Sequence, residues 1–351
     1  MIRSTYRSST GAVTQNLTKE QLRAALTDEG GTLWIDVVHV PQTVERISAQ
    51  LRELFAFHPL AFDDAFQETH VPRVDDWDEY LYIVLHALDL ELNRTLDAHE
   101  LDLFLGRNYL LTIHEEPIRA IDHVWEQCGR GAEHRLASGP DHLFYSVLDT
   151  IVADYMPVVD ELDDEIDEVE AEIFHRPTPR TISRIFRLRR TLLRLRRILG
   201  AMREVTNKLA RDDYAAIDPR DRVYFRDVYD HLVRLYDIIE GLRDMAAGAL
   251  DSYMSVTSNR INQVMRTLTT VTVLFLPISF LAGFFGMNFF GEAFNVANPT
   301  SGTALFWLCL AAMVVIPLSM YWWMRRQGWL RPVVAEDEAP EGEEKEDKEL
   351  T

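Results

Sequence analysis

The strongest constraint on this chain is the absence of charge near its C-terminus. From Thr267 to Gly291, TLTTVTVLFLPISFLAGFFGMNFFG, no residue carries a charge. These 25 residues are enough to cross about 30 Å of hydrocarbon as a helix. Glu292 interrupts, and Ala293–Met324 is again uncharged. Within it, Ala304–Trp323 reads as a second span. Core helices of soluble proteins are rarely this long and this free of charge. The connector, roughly Phe289–Thr303, has no Lys or Arg, whereas Arg260 and Arg266 precede the first span and Arg325, Arg326 and Arg331 follow the second. The positive-inside rule therefore predicts a membrane hairpin with both termini cytoplasmic. Trp307, Tyr321, Trp322, Trp323 and Trp329 fit interfacial belts.

Charge elsewhere is abundant and acidic. Against 36 basic residues stand 56 acidic ones, a formal net charge of −20 over 351 residues. That balance argues against nucleic acid as a partner, which needs a basic face, and against anchoring on anionic lipid by a polybasic patch. The last 19 residues, Val333–Thr351, supply −7 of it and read as a disordered acidic tail. No N-terminal signal peptide is expected. Cys128 and Cys309 are too few for a disulfide framework.

The soluble part divides by pattern. Residues 1–150 read as a cytoplasmic α/β domain. Thr32–Val40 and Tyr80–Leu92 read as strands, Leu101–Glu115 as a hairpin turning on Gly106–Asn108, and Thr43–Phe57 as a helix. Residues 151–217 read as a helical hairpin. Asp160–Glu172 holds nine acids in thirteen residues, with Leu162, Ile166, Val169 and Ile173 as a coiled-coil stripe. After Arg176–Pro179, Arg180–Arg197 carries eight arginines and its own stripe: Ile182, Ile185, Phe186, Leu188, Leu192 and Leu193. An acidic helix folded on a basic one matches charges. Asp218-Pro219 then signals a new helix. Few breakers follow, so 218–266 reads as a cytoplasmic stalk continuing into the first span (267–288). Pro277 lies inside that span, where neighbouring helices and side chains can satisfy the freed carbonyl. The connector (289–303), second span (304–324) and C-terminal end (325–351) complete the chain. The whole is an α+β architecture with two C-terminal transmembrane helices.

The first span keeps a polar or small stripe: Asn262, Met265, Thr269, Thr272, Leu276, Ser279, Gly283 and Gly286, at alternating steps of 3 and 4. Such a seam suits either helix packing through small residues or a pore lined by copies of one helix. One hairpin cannot enclose a pore, so the second reading requires a ring of subunits.

Gly286-Met287-Asn288 within FFGMNFF resembles the signature of the CorA magnesium-transporter family. Ser258–Phe289 is similar to that family's pore helix throughout, and Tyr224–Leu235 (YFRDVYDHLVRL) to its stalk. Phe57–Phe66 and Val71–Leu88 resemble its N-terminal domain, and Gln327–Leu330 the end of its second span. The resemblance implies a funnel-shaped homopentamer in membrane lipid that takes up Mg²⁺, with Co²⁺ or Ni²⁺ as possible companions, across the inner (plasma) membrane. It implies Gly286, Met287 and Asn288 as selectivity filter. Asn262, Met265, Leu268, Leu276, Ser279 and Gly283 match its pore. A ring of neutral Asn288 amides could hold a still-hydrated ion and release it. Met265 and Leu268 are candidate hydrophobic gates. It also implies regulatory Mg²⁺ bound by Asp227 and an acid of a neighbouring subunit, for which Glu91 or Asp89 matches best.

The connector FFGEAFNVANPTSG departs from the family's Met-Pro-Glu-Leu-type magnesium loop and from its Gly-Gly-Ile-Pro-type zinc loop. Only Glu292 can supply an outer negative ring. A proton-coupled Zn²⁺ transporter is therefore the alternative, and a non-conducting membrane ion sensor a third reading. No histidines among the eleven have a zinc-ligand spacing. His231 reads as structural. Neither a Ser/His/Asp constellation nor a phosphate-binding GxxxxGK[ST] loop is present, so no enzyme activity is expected.

Overall fold

The computed structural model describes residues 2–66, 71–90, 96–287 and 302–329. Its contacts divide the chain into a unit of residues Met1–Asp251 and a unit of residues Ser252–Thr351.

The first unit is built on a seven-stranded sheet. Its strands are β1 (Ile2–Arg7), β2 (Val13–Gln15), β3 (Thr32–Val38), β4 (Arg73–Asp76), β5 (Tyr80–Leu90), β6 (Leu96–Gly106) and β7 (Tyr109–His114), in the order β2-β1-β3-β7-β6-β5-β4. Only the β3–β7 pair is parallel. β3 is a near-continuous apolar run because both faces of the sheet are covered. On one face α1 (Lys19–Leu26), α2 (Val44–Arg52) and α3 (Pro59–Asp64) enclose Leu33, Ile35, Val37, Tyr82, Phe104 and Leu111. On the other lie α4 (Arg119–Arg135) and α5 (Pro140–Ala153), where Trp34 meets Trp125 at 4.7 Å between ring centroids.

The β6–β7 hairpin turns where expected. A Cβ at position 106 would collide with the Tyr109 ring, so the turn requires glycine there. Asn108 fastens the turn to the end of α1 by donating to the carbonyls of Leu26 (3.0 Å) and Asp28 (3.1 Å).

The sheet hides one carboxylate. Asp36 on β3 has a fully buried side chain and accepts from Arg3 Nε (2.8 Å), Thr112 Oγ1 (2.5 Å) and His114 Nε2 (3.1 Å). Burial opposes its ionisation, but His114, Thr112 and Arg3 together hold the carboxyl below the usual carboxylate range.

α6 (Tyr155–His175) and α7 (Pro179–Arg211) form the expected hairpin of matched charge. Arg184 pairs with Glu168 (2.7 Å) and Glu172 (3.1 Å), and Arg187 with the buried Glu165 (2.7 Å). Thr178 caps α7 by accepting from Arg180 and Thr181 backbone nitrogens. Leu162, Ile166, Val169 and Ile173 are all buried. The α7 stripe differs from expectation. Phe186 and Leu193 are 46% and 42% exposed, while Ile185, Leu188, Leu192, Leu195, Leu199 and Met202 are buried. The buried set keeps the alternating 3–4 step, and Phe186 and Leu193 each sit one residue off that seam.

α8 (Arg222–Gly286) is one helix of 65 residues. It starts three residues later than the Asp218-Pro219 signal suggests. Asp218 instead closes a turn, its side chain accepting from the Arg220 backbone (2.8 Å) and its carbonyl from Asp221 (2.9 Å). Within the first unit α8 buries Phe225, Val228, Leu232, Leu235, Ile239, Leu242, Ala246 and Ala249, another alternating 3–4 seam.

In the second unit, the apolar part of α8 has a window of mean hydropathy 1.8 with none of its residues buried. α9 (Gly302–Arg326) has a window of mean hydropathy 1.6, 6% buried. A soluble core helix of such composition would be buried; these two are long and apolar enough to cross a membrane. Arg326 sits over the Trp322 ring at 5.3 Å, a pairing suited to a membrane interface. Neither Cys128 nor Cys309 forms a disulfide.

Candidate functional site

Two sets of residues carry the functional expectations, one on the stalk and one on the span. An open cleft of about 880 Å³ in the first unit is lined by Arg119, His123, His142, Tyr145, Asp149 and Asp154 among others; Asp227 and His231 of α8 do not line it but lie within electrostatic reach of its Asp149. α5 supplies most of the lining. Its contact with α8 is aromatic: Phe144 lies 5.5 Å from Phe225, and Tyr145 and His142 lie 5.0 and 5.2 Å from Tyr224. This packing sets the exposed side of α8, with Asp227 and His231 one turn apart, against Asp149.

The electrostatics reflect that placement. Burial raises the Asp149 carboxyl above its usual range; His231 opposes the shift and Asp227 adds to it. The Tyr145 hydroxyl is raised by burial and then by Asp149 and Asp227. A half-buried acid repelled by an exposed one beside it forms a place where a divalent cation would lower the energy.

Asp89 meets this cleft through Arg119, which lies 3.3 Å from it and lines the cavity. Glu91, the other expected partner of Asp227, falls outside the described residues, as do Asn288 and Glu292. Asp149 was not among the expected ligands, and its sequence signal is slight, a single acid on an amphipathic helix. His231, expected to be structural, stands with the acids.

On the span, Asn262, Met265, Leu268, Leu276, Ser279, Gly283, Gly286 and Met287 are all exposed. So are Ile261, Val264, Val271, Phe275, Phe280 and Phe284 on its other faces, so exposure alone does not single out the stripe. The threonines of the stripe are turned back on their own helix: Thr269 donates to the Met265 carbonyl (2.8 Å) and Thr272 to that of Leu268 (2.9 Å). A Cβ at Gly283 or Gly286 would meet nothing within 4 Å among the described residues. Nothing among the described residues therefore demands glycine at either position.

Comparison with known proteins decides the family. The family model for CorA-like Mg²⁺ transporter proteins matches residues 29–326. The chain belongs to the CorA family. The cobalt/magnesium transport protein CorA of Thermotoga maritima is 34% identical over 308 residues, covering 86% of this chain and 85% of that protein. The solved structure of the CorA magnesium transporter from Methanocaldococcus jannaschii superposes with a TM-score of 0.75 at 25% identity, covering 93% of this chain and 98% of that one. A zinc transport protein, ZntB of Yersinia pseudotuberculosis, is 25% identical over 230 residues, covering 65% of this chain and 67% of that protein. The protein is thus a CorA-family metal ion transporter, of a family of membrane transporters rather than enzymes.

Proposed function

We propose that the protein is a homopentameric channel for divalent cations, chiefly Mg²⁺. It admits them across the plasma membrane and closes when cytoplasmic Mg²⁺ occupies the acidic cleft. The observation that carries this reading is that one helix, α8, holds both Asp227 and the exposed stripe from Asn262 to Gly286. A charge change at the cleft has a continuous mechanical connection to the span.

The stripe has open space around Gly283 and Gly286, as expected if other copies of the same helix fill it. Five copies would turn each position into a ring. The Asn288 ring would accept hydrogen bonds from water on a hydrated ion, because Mg²⁺ gives up its octahedral water shell reluctantly. Neutral amides let the ion leave, where carboxylates would retain it. Ser279 and Asn262 would be secondary polar rings, and Met265 and Leu268 rings would close by dewetting. The inside-negative potential drives entry at about 2.3 kcal/mol per charge per 100 mV, and double that for a dication. Both termini lie in the cytoplasm on this reading, with Glu292 outside concentrating cations.

Regulation follows from the acids. Without Mg²⁺, Asp149, Asp227 and Asp89 (or Glu91) of a neighbouring subunit repel and loosen the ring. With Mg²⁺ they are neutralised and the ring stays shut.

Proton-coupled Zn²⁺ transport is a second reading, favoured by the zinc-transporting relative and by a connector unlike the magnesium branch. The test is flux in proteoliposomes, with Mg²⁺ and Zn²⁺ compared with and without a pH gradient. Potential-driven Mg²⁺ flux indifferent to the pH gradient is expected. Zn²⁺ flux that requires the gradient would replace the first reading with the second, and no flux of either ion would remove both.

A further inference from the structure

The α/β domain brings together a second set of metal-binding side chains, apart from the Asp149 cleft. β6 runs past the end of β7. Their last cross-pair is Asp102 with Ile113, so Leu96–Leu101 pairs only with β5. Asp97 and His99, two residues apart on this overhang, project to the same side. The segment after β7 turns in beside them. It is held by His114, whose Nδ1 donates to the Glu116 carbonyl while Nε2 donates to Asp36.

The result is a trio from three sequence positions. His99 Nδ1 lies 3.2 Å from Glu116 Oε2, and His99 Nε2 lies 3.9 Å from Asp97 Oδ2. One ligand atom from each of the three residues falls within 4.8 Å of the others. Two ligands on one ion at about 2.1 Å stand about 3.0–3.4 Å apart. The His99 Nδ1–Glu116 distance already matches this; the 3.9 Å contact to Asp97 is made by the other ring nitrogen, so Asp97 would close on a shared ion from within 4.8 Å.

A second observation points to a ligand. The trio opens on a cavity of about 500 Å³ that His39 also lines. His39 is only 9% exposed, and its Nδ1 is buried without a hydrogen-bond partner among the described residues. A buried polar nitrogen left unpaired costs free energy. Burial also lowers its pKa. Five acids line the cavity against two arginines, and one of these, Arg194, is turned to the Leu96 carbonyl at 3.0 Å.

We propose that Asp97, His99 and Glu116, opening on His39, form a binding site for a borderline divalent transition-metal ion of the Co²⁺, Ni²⁺ or Zn²⁺ class, distinct from the pore and from the Asp149 cleft. Imidazole selects these ions, whereas Mg²⁺ prefers an all-oxygen octahedron. Half-exposed His–acid pairs without an ion gain little, which leaves two acids gathered at one imidazole otherwise unexplained.

The test is direct binding, read independently of transport. Metal-free full-length protein in detergent is titrated calorimetrically with Zn²⁺, and with Co²⁺ followed by visible absorption, in millimolar Mg²⁺ to fill oxygen sites. One ion per chain is expected, with affinity falling roughly tenfold or more in both His99→Ala and Asp97→Asn and unchanged in His231→Ala. Asp97→Asn keeps the side-chain shape, so it decides the matter if His99→Ala does not fold. Unchanged binding in the folded variants, loss only in His231→Ala, or displacement of Zn²⁺ by an equal concentration of Mg²⁺ would each overturn the proposal.

Discussion

Asp149 on α5 and Asp227 on α8 are two acids set within electrostatic reach of each other across an aromatic helix contact, and Asp227 adds to the rise that burial imposes on the Asp149 carboxyl. The sign of the stability effect follows. Below the ordinary carboxylate pKa the group is neutral in both folded and unfolded states and costs nothing. As pH rises through the higher folded value, ionisation in the folded state carries a penalty that persists at neutral pH. Asp149→Asn should therefore leave metal-free protein equally stable or up to about 0.5 kcal/mol more stable. It should also shrink the rise in melting temperature that Mg²⁺ produces. Thermal melts with and without Mg²⁺ check both; a full Mg²⁺-dependent rise in the variant would take Asp149 out of the cleft's ion binding.

Asp227→Ala separates sensing from folding. Asp227 is exposed, whereas its neighbour Phe225 is fully buried against Phe144. Removing the acid should leave the unfolding midpoint almost unchanged and raise the internal Mg²⁺ needed for closure roughly tenfold or more. Phe225→Ala should cost about 3–5 kcal/mol of stability. Currents recorded while internal Mg²⁺ is stepped, beside chemical denaturation, distinguish the two. A normal closing response in Asp227→Ala would remove it from the sensor.

The buried Asp36 gives an acid-side prediction. Its carboxyl is held below the usual range by His114, Thr112 and Arg3 against the cost of burial. Its contribution is thus present above the ordinary carboxylate pKa and is lost as pH falls through the lower folded value. Asp36→Ala would take the buried partner from Arg3 Nε and His114 Nε2 and leave a cavity. It should destabilise the domain by about 3–5 kcal/mol at neutral pH, an effect measurable by denaturant titration. The gap from wild type should narrow as the pH is taken below the ordinary carboxylate value.

How much of this could be read in the sequence depended on how local each signal was. β3, β5 and the β6–β7 hairpin were legible because apolar runs and a Gly-containing turn lie within a few residues. β1 was not: IRSTYR alternates weakly, and it becomes a strand by pairing along its whole length with the distant β3, where its Arg3 also reaches Asp36, 33 positions away. Asp218-Pro219 marked a helix start correctly in kind, but the turn it closes absorbed the signal before α8 began. Asp227 was legible only through family likeness. Asp149, on α5, and the Asp97–His99–Glu116 trio were invisible because packing and sheet register, not spacing, bring them to their partners. The pore stripe was plain in its 3–4 steps, yet what surrounds it lies in other copies of the chain on the reading proposed.

That last point is open to a mutation that the single chain should not feel. Gly283 has open space around it, so within one subunit Gly283→Leu clashes with nothing among the described residues. It also replaces a poor helix former by a good one, a gain of up to about 1 kcal/mol in helix propensity. Expression and membrane insertion should therefore be unaffected. In a ring of five, however, the same position is repeated around the axis, and five bulky side chains would fill the space that small residues leave. Ion flux in proteoliposomes should fall to background, with either a blocked pentamer or a smaller assembly seen by size-exclusion chromatography with light scattering. Asn288→Ala should also abolish Mg²⁺ uptake, but with the pentamer intact, because it removes the amide ring without adding bulk. Wild-type flux through Gly283→Leu would mean that this face of α8 does not line the path of the ion.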